Sequence, residues 1–259
     1  MTVKDKILQG RTYLGIELGS TRIKAVLIDD SFSVIASGSK QWETRFDNRC
    51  WTYSLDDIHG GIQACYKDLA ENVKAQYGIY PETYGAMGIS AMMHGYMAFD
   101  KNDKFLVPFR TWRNTMTAQA AGELTKLLGF NIPQRWSIAH LYQAVLNKEA
   151  HVPYIAYINT LAGYVHKRLT DRFEVGVGEA SGIFPVEGIG YKKEYLEPTE
   201  KSLAEKGFDH KLKDILPAVR NAGEKGAVLT EEGAKFLDPE GRLKAGVPVC
   251  PPEGDAGTG

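Results

Sequence analysis

The stretch Tyr13-Leu-Gly-Ile-Glu-Leu-Gly-Ser-Thr-Arg-Ile-Lys-Ala-Val-Leu-Ile28 places two apolar runs on either side of a glycine and two small hydroxyl residues. Runs rich in Ile, Leu and Val that are separated by a tight turn are typical of a β-hairpin. The same extended pattern continues through Val34–Glu43. The sequence therefore predicts that the chain opens with an antiparallel meander of three strands.

The turn of this hairpin also has the residues of a phosphate site. Gly19 lets a ligand approach the backbone closely, and Ser20 and Thr21 supply hydroxyl and amide donors. Glu17, just before the turn, could hold Mg²⁺ directly or through water. These residues alone leave two interpretations open, an ordinary hairpin and a hairpin that cradles phosphate.

The composition narrows the class of protein. The chain has 259 residues with a net charge of -1, which gives no electrostatic footprint for nucleic acid or for an anionic membrane. No stretch approaches the ~18 apolar residues of a membrane span, and the N-terminus lacks the apolar segment of a signal peptide. The three cysteines form no C-x-x-C pair. We therefore expect a cytoplasmic protein with reduced thiols.

The remaining pattern mixes helices with strands. Apolar residues at helical spacing predict a helix that Ser54 or Asp56 caps and Gly78 ends. A helical excursion is predicted at about 191–213 from its mixed charge. The other predicted elements are strands at Tyr84–Ser90, Tyr96–Asp100 and Gly246–Cys250, helices at Ala118–Leu128, Gln134–Asn147, Ala156–Leu169 and Thr230–Leu237, and a small-residue loop at Gly176–Gly182. This mixture indicates an α/β architecture.

Two further stretches contain residues that could bind a polyhydroxylated ligand. Ser90-Ala-Met-Met-His-Gly95 lies between two predicted strands, where His94 is either a locally bonded histidine or a ligand group. In Phe109-Arg-Thr-Trp-Arg-Asn-Thr115, an indole stands beside a guanidinium and an amide, a combination that suits C–H faces and hydroxyls. An ordinary amphipathic helix start explains the second stretch equally well.

Asp255 lies in Glu-Gly-Asp-Ala-Gly, at a predicted junction between a strand and a turn. A carboxylate among glycines is accessible to a substrate, and a positioned general base would assist the attack of a hydroxyl on a phosphoryl group. A solvated aspartate in a turn is the alternative.

The order of these stretches resembles the FGGY family of carbohydrate kinases, whose fold is two ribonuclease-H-like, actin-type domains around a cleft. Gly15–Thr21 resembles the first phosphate hairpin of the family and Ser90–Gly95 its "S-x-Q-M-H-G" loop. The other matching segments are Trp112-Arg-Asn114 ("W-x-D"), Thr160–Thr170 ("D-Y-L-x-x-x-L-T-G"), Glu179-Ala-Ser181 ("D-x-S-x-A-S") and Gly254-Asp255 ("G-G-G-D").

The resemblance implies that residues 1–259 form the N-terminal, sugar-binding domain, a mixed sheet flanked by helices, and that the nucleotide-binding domain of the family lies outside this chain. It implies transfer of the γ-phosphoryl group of ATP to a hydroxyl of a ketose, aldose or polyol, with Asp255 as general base. The implied roles of the other residues are sugar binding by Met93, His94, Trp112, Arg113, Asn114 and Glu179, phosphate binding by Gly19, Ser20 and Thr21, and Mg²⁺ binding by Glu17.

Three positions depart from the family pattern. Glu17 replaces an aspartate, which moves the carboxylate by about 1.5 Å, the length of one bond. Asn114 also replaces an aspartate, and so removes a charge and adds a donor. Pro251-Pro252-Glu253 stands where glycines are expected and stiffens the approach to Asp255.

These departures keep a second interpretation open, a non-catalytic relative that senses sugar without transferring phosphate. An actin-like or chaperone-like ATPase is a third, which the substrate loop and Asp255 disfavour because such proteins have no sugar hydroxyl to deprotonate. We expect a small-molecule sugar as partner, no nucleic acid and no membrane, with a homodimer as one candidate assembly. The chain by itself is expected to turn over ATP poorly.

Overall fold

The computed structural model describes residues 1–224 and 226–258 of the chain. The strands are β1 (Thr12–Leu18), β2 (Arg22–Asp29), β3 (Val34–Gln41), β4 (Arg45–Asp47), β5 (Cys50–Thr52), β6 (Ala86–Ala91), β7 (Met97–Phe99), β8 (Tyr157–Asn159), β9 (Glu174–Gly176), β10 (Val186–Glu187), β11 (Gly190–Tyr191), β12 (Ala218–Arg220), β13 (Ala227–Val228), β14 (Pro248–Val249) and β15 (Glu253–Gly254). The α-helices are α1 (Val3–Leu8), α2 (Leu55–Tyr77), α3 (Ala118–Leu128), α4 (Ser137–Leu146), α5 (Leu161–Thr170), α6 (Val177–Ala180), α7 (Lys193–Glu205), α8 (Leu212–Ile215), α9 (Glu231–Leu237) and α10 (Asp255–Thr258).

The main sheet is mixed and runs in the order β13-β14-β6-β1-β2-β3, with β15 also paired to β6. Strands β1, β2 and β3 are antiparallel neighbours, so the predicted meander is confirmed. Strands β1, β14 and β15 all run parallel to β6. The predicted α/β class with a mixed sheet is therefore correct.

One face of the sheet carries the larger hydrophobic core. In β1, Leu14, Ile16 and Leu18 are buried on this face, because alternate residues of a strand point to opposite sides. Helix α2 packs on β2 and β3, and α5 and α9 complete the layer. Ser54 caps α2, and Gly78 ends it in the left-handed conformation (φ 75°), as predicted.

A second core joins helices α3, α4 and α7 to the segments around β7, β8 and β9. Helix α7 lies within the predicted helical excursion at about 191–213, and α8 begins at its end and extends to Ile215. Helix α7 buries only Thr199 and Leu203. Among the described residues, no helix is long and apolar enough to cross a bilayer.

The prediction of one helix over Ala156–Leu169 is wrong at its start. Tyr157–Asn159 forms strand β8, antiparallel to β7, and α5 begins only after Thr160, whose hydroxyl accepts a hydrogen bond from the Gly163 N–H. An aromatic and a β-branched residue open the segment, and such residues favour strands. Thr160, the N-cap of α5, directly follows β8. A strand and a helix therefore share a segment that looks like one apolar run in the sequence.

Candidate active site

Three parallel strands bring the predicted site residues to one edge of the sheet. Ser90 of β6 lies opposite Glu17 of β1 on one side and opposite Glu253 of β15 on the other. Because parallel strands end at the same edge, three features meet there: the hairpin turn after β1, the loop after β6 and Asp255 after β15. Adjacent strands are about 4.8 Å apart, so the turn and Asp255 are separated by two strand spacings.

The hairpin turn is held by its carbonyl groups. The Gly19 carbonyl accepts a hydrogen bond from Trp42 Nε1 at 2.7 Å, and the Ser20 carbonyl accepts one from the Tyr53 hydroxyl at 2.5 Å. The Thr21 carbonyl accepts from the Trp42 backbone N–H at 3.2 Å. In a trans peptide the C=O and N–H point in opposite directions. The N–H groups of Ser20 and Thr21 therefore face away from these anchors, which is the arrangement an anion-binding turn requires.

Glu17 is the predicted Mg²⁺ ligand, and its side chain is 40% exposed with Lys24 Nζ 3.5 Å from Oε2. An exposed ion pair of this kind contributes little and leaves the carboxylate free to exchange partners. No group of three or more His, Cys, Asp or Glu in residues 1–224 and 226–258 is arranged to hold a metal ion. Mg²⁺ is commonly held by one or two carboxylates together with water and substrate phosphates, so the residues present fit that mode of binding.

The candidate substrate loop, Ser90–Gly95, is bonded directly to the candidate base. The Met93 N–H donates to Asp255 Oδ1 at 3.0 Å. His94 follows in the left-handed conformation, with φ 70°, which costs a residue with a side chain of order 1–3 kcal/mol. Burial lowers the pKa of His94 to about 4, so its imidazole is neutral near pH 7. Because Nδ1 of His94 is buried, the loop offers one neutral nitrogen, Nε2, which donates or accepts according to the tautomer.

Glu179 lies behind this loop, with none of its surface exposed. Burial raises the pKa of Glu179 to about 8, and the neighbouring charges of Glu253 and Asp255 act in the same direction. No donor in the described part of the chain is in hydrogen-bonding geometry with either of its oxygens, although the Thr160 hydroxyl is close enough to oppose the shift. Glu179 was predicted to bind sugar, and the structure places it within the protein interior.

Trp112 and Arg113 line a cleft of about 830 Å³ together with Ser20 and Thr21 of the hairpin. Trp112 is 41% exposed. The guanidinium of Arg113 lies 3.7 Å from the centre of the Trp51 ring, so its flat face is covered and its N–H edges stay open to a ligand. The cleft thus combines exposed aromatic surface with polar donors next to the hairpin, as a sugar site requires.

Asn114 was predicted to contact sugar, but its side chain is 3% exposed and bonded to the backbone. Its Oδ1 accepts from the Trp51 N–H at 2.8 Å, and its Nδ2 donates to the Trp51 and Thr111 carbonyls at 2.8 and 3.0 Å. An aspartate could accept the first bond but could not donate the other two. In this structure the Asn114 side chain fixes the backbone of Trp51, and Trp51 in turn lines the cleft.

The sequence analysis missed three residues that shape the site, Trp42, Tyr53 and Glu253. The first two anchor the hairpin, and the side chain of the third accepts a hydrogen bond from the Glu179 N–H at 2.8 Å. The sequence offers one signal, the place of Trp42 near the end of the predicted strand Val34–Glu43. In the structure, the preceding residue Gln41 is paired with Arg22, at the end of the turn.

Comparison with protein families gives one match that covers nearly the whole chain. Residues 12–258 match the model of the FGGY family of carbohydrate kinases, N-terminal domain. The chain belongs to this family. The family assignment predicted from the order of the motifs is therefore confirmed, and with it the N-terminal domain fold.

Individual FGGY relatives are distant. The xylulose kinase of Lactococcus lactis subsp. lactis (strain IL1403) is 22% identical over 124 residues, which are 45% of this chain and 23% of that protein. The solved xyloylose kinase of Brucella ovis is 22% identical with a TM-score of 0.75, over 95% of this chain and 49% of that one. The gluconate kinase of Lactobacillus acidophilus is 18% identical with a TM-score of 0.74, over 94% and 48%. The chain thus spans about half the length of the solved structures that it matches.

Proposed function

We propose that this chain is the N-terminal half of an ATP-dependent sugar kinase in which Asp255 is the general base. The convergence of the hairpin, the substrate loop and Asp255 at one sheet edge supports this assignment. The hydrogen bond between Asp255 and Met93 supports it further, because it puts the carboxylate against the loop that the family uses for substrate.

In the proposed reaction, a sugar hydroxyl gives its proton to the Asp255 carboxylate as its oxygen attacks the γ-phosphorus of ATP. The new O–P bond forms while the bond from the γ-phosphorus to the bridging β,γ-oxygen breaks, and ADP leaves. The N–H groups of Ser20 and Thr21 would receive the charge on the transferred phosphoryl oxygens. Mg²⁺, if bound near Glu17, would supply further neutralisation of phosphate charge.

The remaining site residues orient the sugar. Trp112 presents an indole face for C–H groups, and Arg113 presents N–H donors at the rim of the same cleft. Neutral His94 exchanges hydrogen bonds with hydroxyls without adding charge beside the base. Relatives described as xylulose and gluconate kinases make a ketose or a sugar acid reasonable first substrates to test.

The test is sugar-dependent release of ADP by the full-length protein, with ketoses, aldoses, polyols and sugar acids as substrates. We expect turnover of at least one sugar and a loss of about 10²–10⁴-fold in Asp255→Asn, the range for a general base. Asp209→Asn, an exposed aspartate, is the control and should keep full activity. Sugar binding without ADP release across the panel would instead establish the sugar-sensing alternative.

We also propose that residues 1–259 alone do not turn over ATP efficiently, because the family places most nucleotide contacts in its second domain. Isothermal titration of this 259-residue chain with ATP and Mg²⁺ should show weak binding or none. Tight binding would contradict the proposal.

A further inference from the structure

The two glycines of Gly176-Val-Gly178 are not required by backbone conformation. Gly176 has φ -70° and ψ 160°, values that any residue adopts. A Cβ atom at Gly176 would overlap Oε1 of Glu253, and one at Gly178 would lie 2.7 Å from Oε2 of the same carboxylate. At both positions an added methyl group would therefore displace the Glu253 carboxylate, which fills the space. We call the pair Gly176 and Gly178 the glycine cradle.

The carboxylate of Glu253 is also held by a hydrogen bond. Its Oε2 accepts a hydrogen bond from the Glu179 N–H at 2.8 Å, and the neighbouring Pro252 carbonyl accepts one from the Gly176 N–H at 2.8 Å. No lysine, arginine or histidine in the described ranges forms an ion pair with it. The segment 252–253 is thus tied to the glycine cradle by one hydrogen bond and by shape, and to Glu179 by a second hydrogen bond.

The same segment leads directly into the turn that carries Asp255, which we call the catalytic turn. Glu253 and Gly254 pair with Ser90 and Ala91 of β6, and Asp255 follows at once. At Gly254, a Cβ would lie 2.6 Å from Glu179 Oε2 and 2.7 Å from Met93 Cγ, so the turn has little room to shift. Strand β15 is therefore clamped between β6 and the glycine cradle.

We propose that Glu253 is a positioning residue whose carboxylate, seated in the glycine cradle, holds Asp255 against the substrate loop. The inference rests on the proposed role of Asp255 as general base. Without the Glu253 carboxylate, the turn keeps only the backbone bond between Gly176 and Pro252 on the side away from β6. A displacement of about 1 Å at a reacting group can reduce the rate of catalysis about a hundredfold.

The test is a double-variant cycle in the full-length protein, with Gly176→Ala, Glu253→Ala and the combination, read by melting temperature and by steady-state kinetics. In the natural background, Gly176→Ala should lower both the melting temperature and kcat, because the new methyl group displaces the carboxylate. In the Glu253→Ala background the same change should leave the melting temperature nearly unchanged. The kcat of Glu253→Ala and of the combination should stay about tenfold or more below wild type, with KM for sugar little changed.

If Glu253→Ala does not fold, Glu253→Gln replaces it in the cycle. Glutamine keeps the size of the Glu253 side chain and one oxygen acceptor. Gly176→Ala should be as harmful with Gln at this position as in the natural sequence. Gly122→Ala is the control, since a Cβ there meets no atom within 4 Å.

Three results would overturn the inference. The first is a Gly176→Ala protein that melts and turns over like wild type. The second is an equal effect of Gly176→Ala with and without Glu253, and the third is a wild-type kcat in Glu253→Ala. Full activity of Asp255→Asn would refute the proposed base instead, and would leave the coupling between Gly176 and Glu253 in the melting data intact.

Discussion

The carboxylate of Asp255 and the backbone N–H of Met93 are joined by a hydrogen bond of 3.0 Å across 162 residues of sequence. The bond connects the turn after β15 to the loop after β6, so the candidate base and the candidate sugar loop have a fixed relative position. Strand β6 is paired with both β1 and β15. The base and the loop therefore also have a fixed position relative to the hairpin turn after β1. The site is therefore one connected unit at the sheet edge.

The Asp255–Met93 bond predicts that two variants of Asp255 differ in stability. Asp255→Ala removes the acceptor and should lower the free energy of unfolding by about 1–3 kcal/mol, or about 2–4 °C in melting temperature per kcal/mol for a chain of this size. Asp255→Asn keeps an oxygen acceptor and removes a negative charge near Glu179 and Glu253, so it should melt at or above the natural protein. Thermal melting of the two variants side by side checks this, and a lower melting temperature for Asp255→Asn than for Asp255→Ala would contradict it.

The sheet and its covering helix could be predicted from sequence because their signals are local. Alternation in β1 and β2 and the capped 3.6-residue period of α2 each lie within about 25 residues. Asp255 was predicted at a junction between a strand and a turn, and the structure places it after β15, a strand that was not predicted, at the start of α10. Segment 156–169 was misassigned because a strand and a capped helix occur there within a few residues.

The hydrogen bonds that hold the site residues in place could not be predicted, because they join segments that are distant in the sequence. The hydrogen bond from Tyr53 to Ser20 spans 33 residues, and the bond from Glu179 to Glu253 spans 74. In sequence, Gly176-Val-Gly178 is typical of any small-residue loop, and only the carboxylate that fills it explains both glycines. Asn114 was assigned to sugar from its place in a motif, which carries no information on where its amide points.

The indole N–H of Trp42 provides a test of the hairpin. Trp42→Phe should keep the stack on Tyr53, whose ring centre lies 4.2 Å away, and lose the bond to the Gly19 carbonyl. We expect a loss of about 1 kcal/mol in stability. In the full-length protein we expect a higher KM for ATP, if the proposed kinase activity is correct, because the turn is less fixed. Urea unfolding and the KM for ATP measure the two effects.

Trp136→Phe is the matched control for Trp42, since the indole N–H of Trp136 donates to no protein group in the described ranges. It should leave the KM for ATP unchanged. Equal effects of the two substitutions on that KM would show that the carbonyl anchor does not matter for the hairpin.

Asn114→Asp tests whether the amide is needed for its two donor contacts. The new carboxylate would face the Trp51 and Thr111 carbonyls and leave both without a donor, at a cost of about 1–3 kcal/mol. Because a protonated carboxyl group has one O–H donor, the loss should shrink as the pH falls toward 4. Melting temperature against pH measures this, with Asn131→Asp, at an exposed position, as control. A melting temperature equal to that of the natural protein at pH 7 would contradict the assignment.

Glu179→Gln should change the pH dependence of stability. Burial raises the pKa of Glu179 from about 4.5 to about 8 in the folded protein. Between these values the unfolded chain has released the proton and the folded chain has not, so stability from this group is full below pH 4.5 and is lost as the pH rises through 8. Glutamine has no proton to release. The melting temperature of the variant minus that of the natural protein should therefore increase steadily from pH 5 to pH 8.

Four groups lie close to Glu179, and all of them are the same in the Glu179→Gln variant and in the natural protein. The carboxylates of Glu253 and Asp255 raise its pKa, the Thr160 hydroxyl opposes them, and the buried Tyr191 hydroxyl lies nearby. All four remain in the variant, so titrations of other groups cancel in the difference between the two proteins. Glu197→Gln, at an exposed position of α7, should give a flat difference over the same range. A flat difference for Glu179→Gln as well would mean that Glu179 is already ionised at pH 5 in the folded protein, and that the interior behind the Asp255 turn carries a full negative charge.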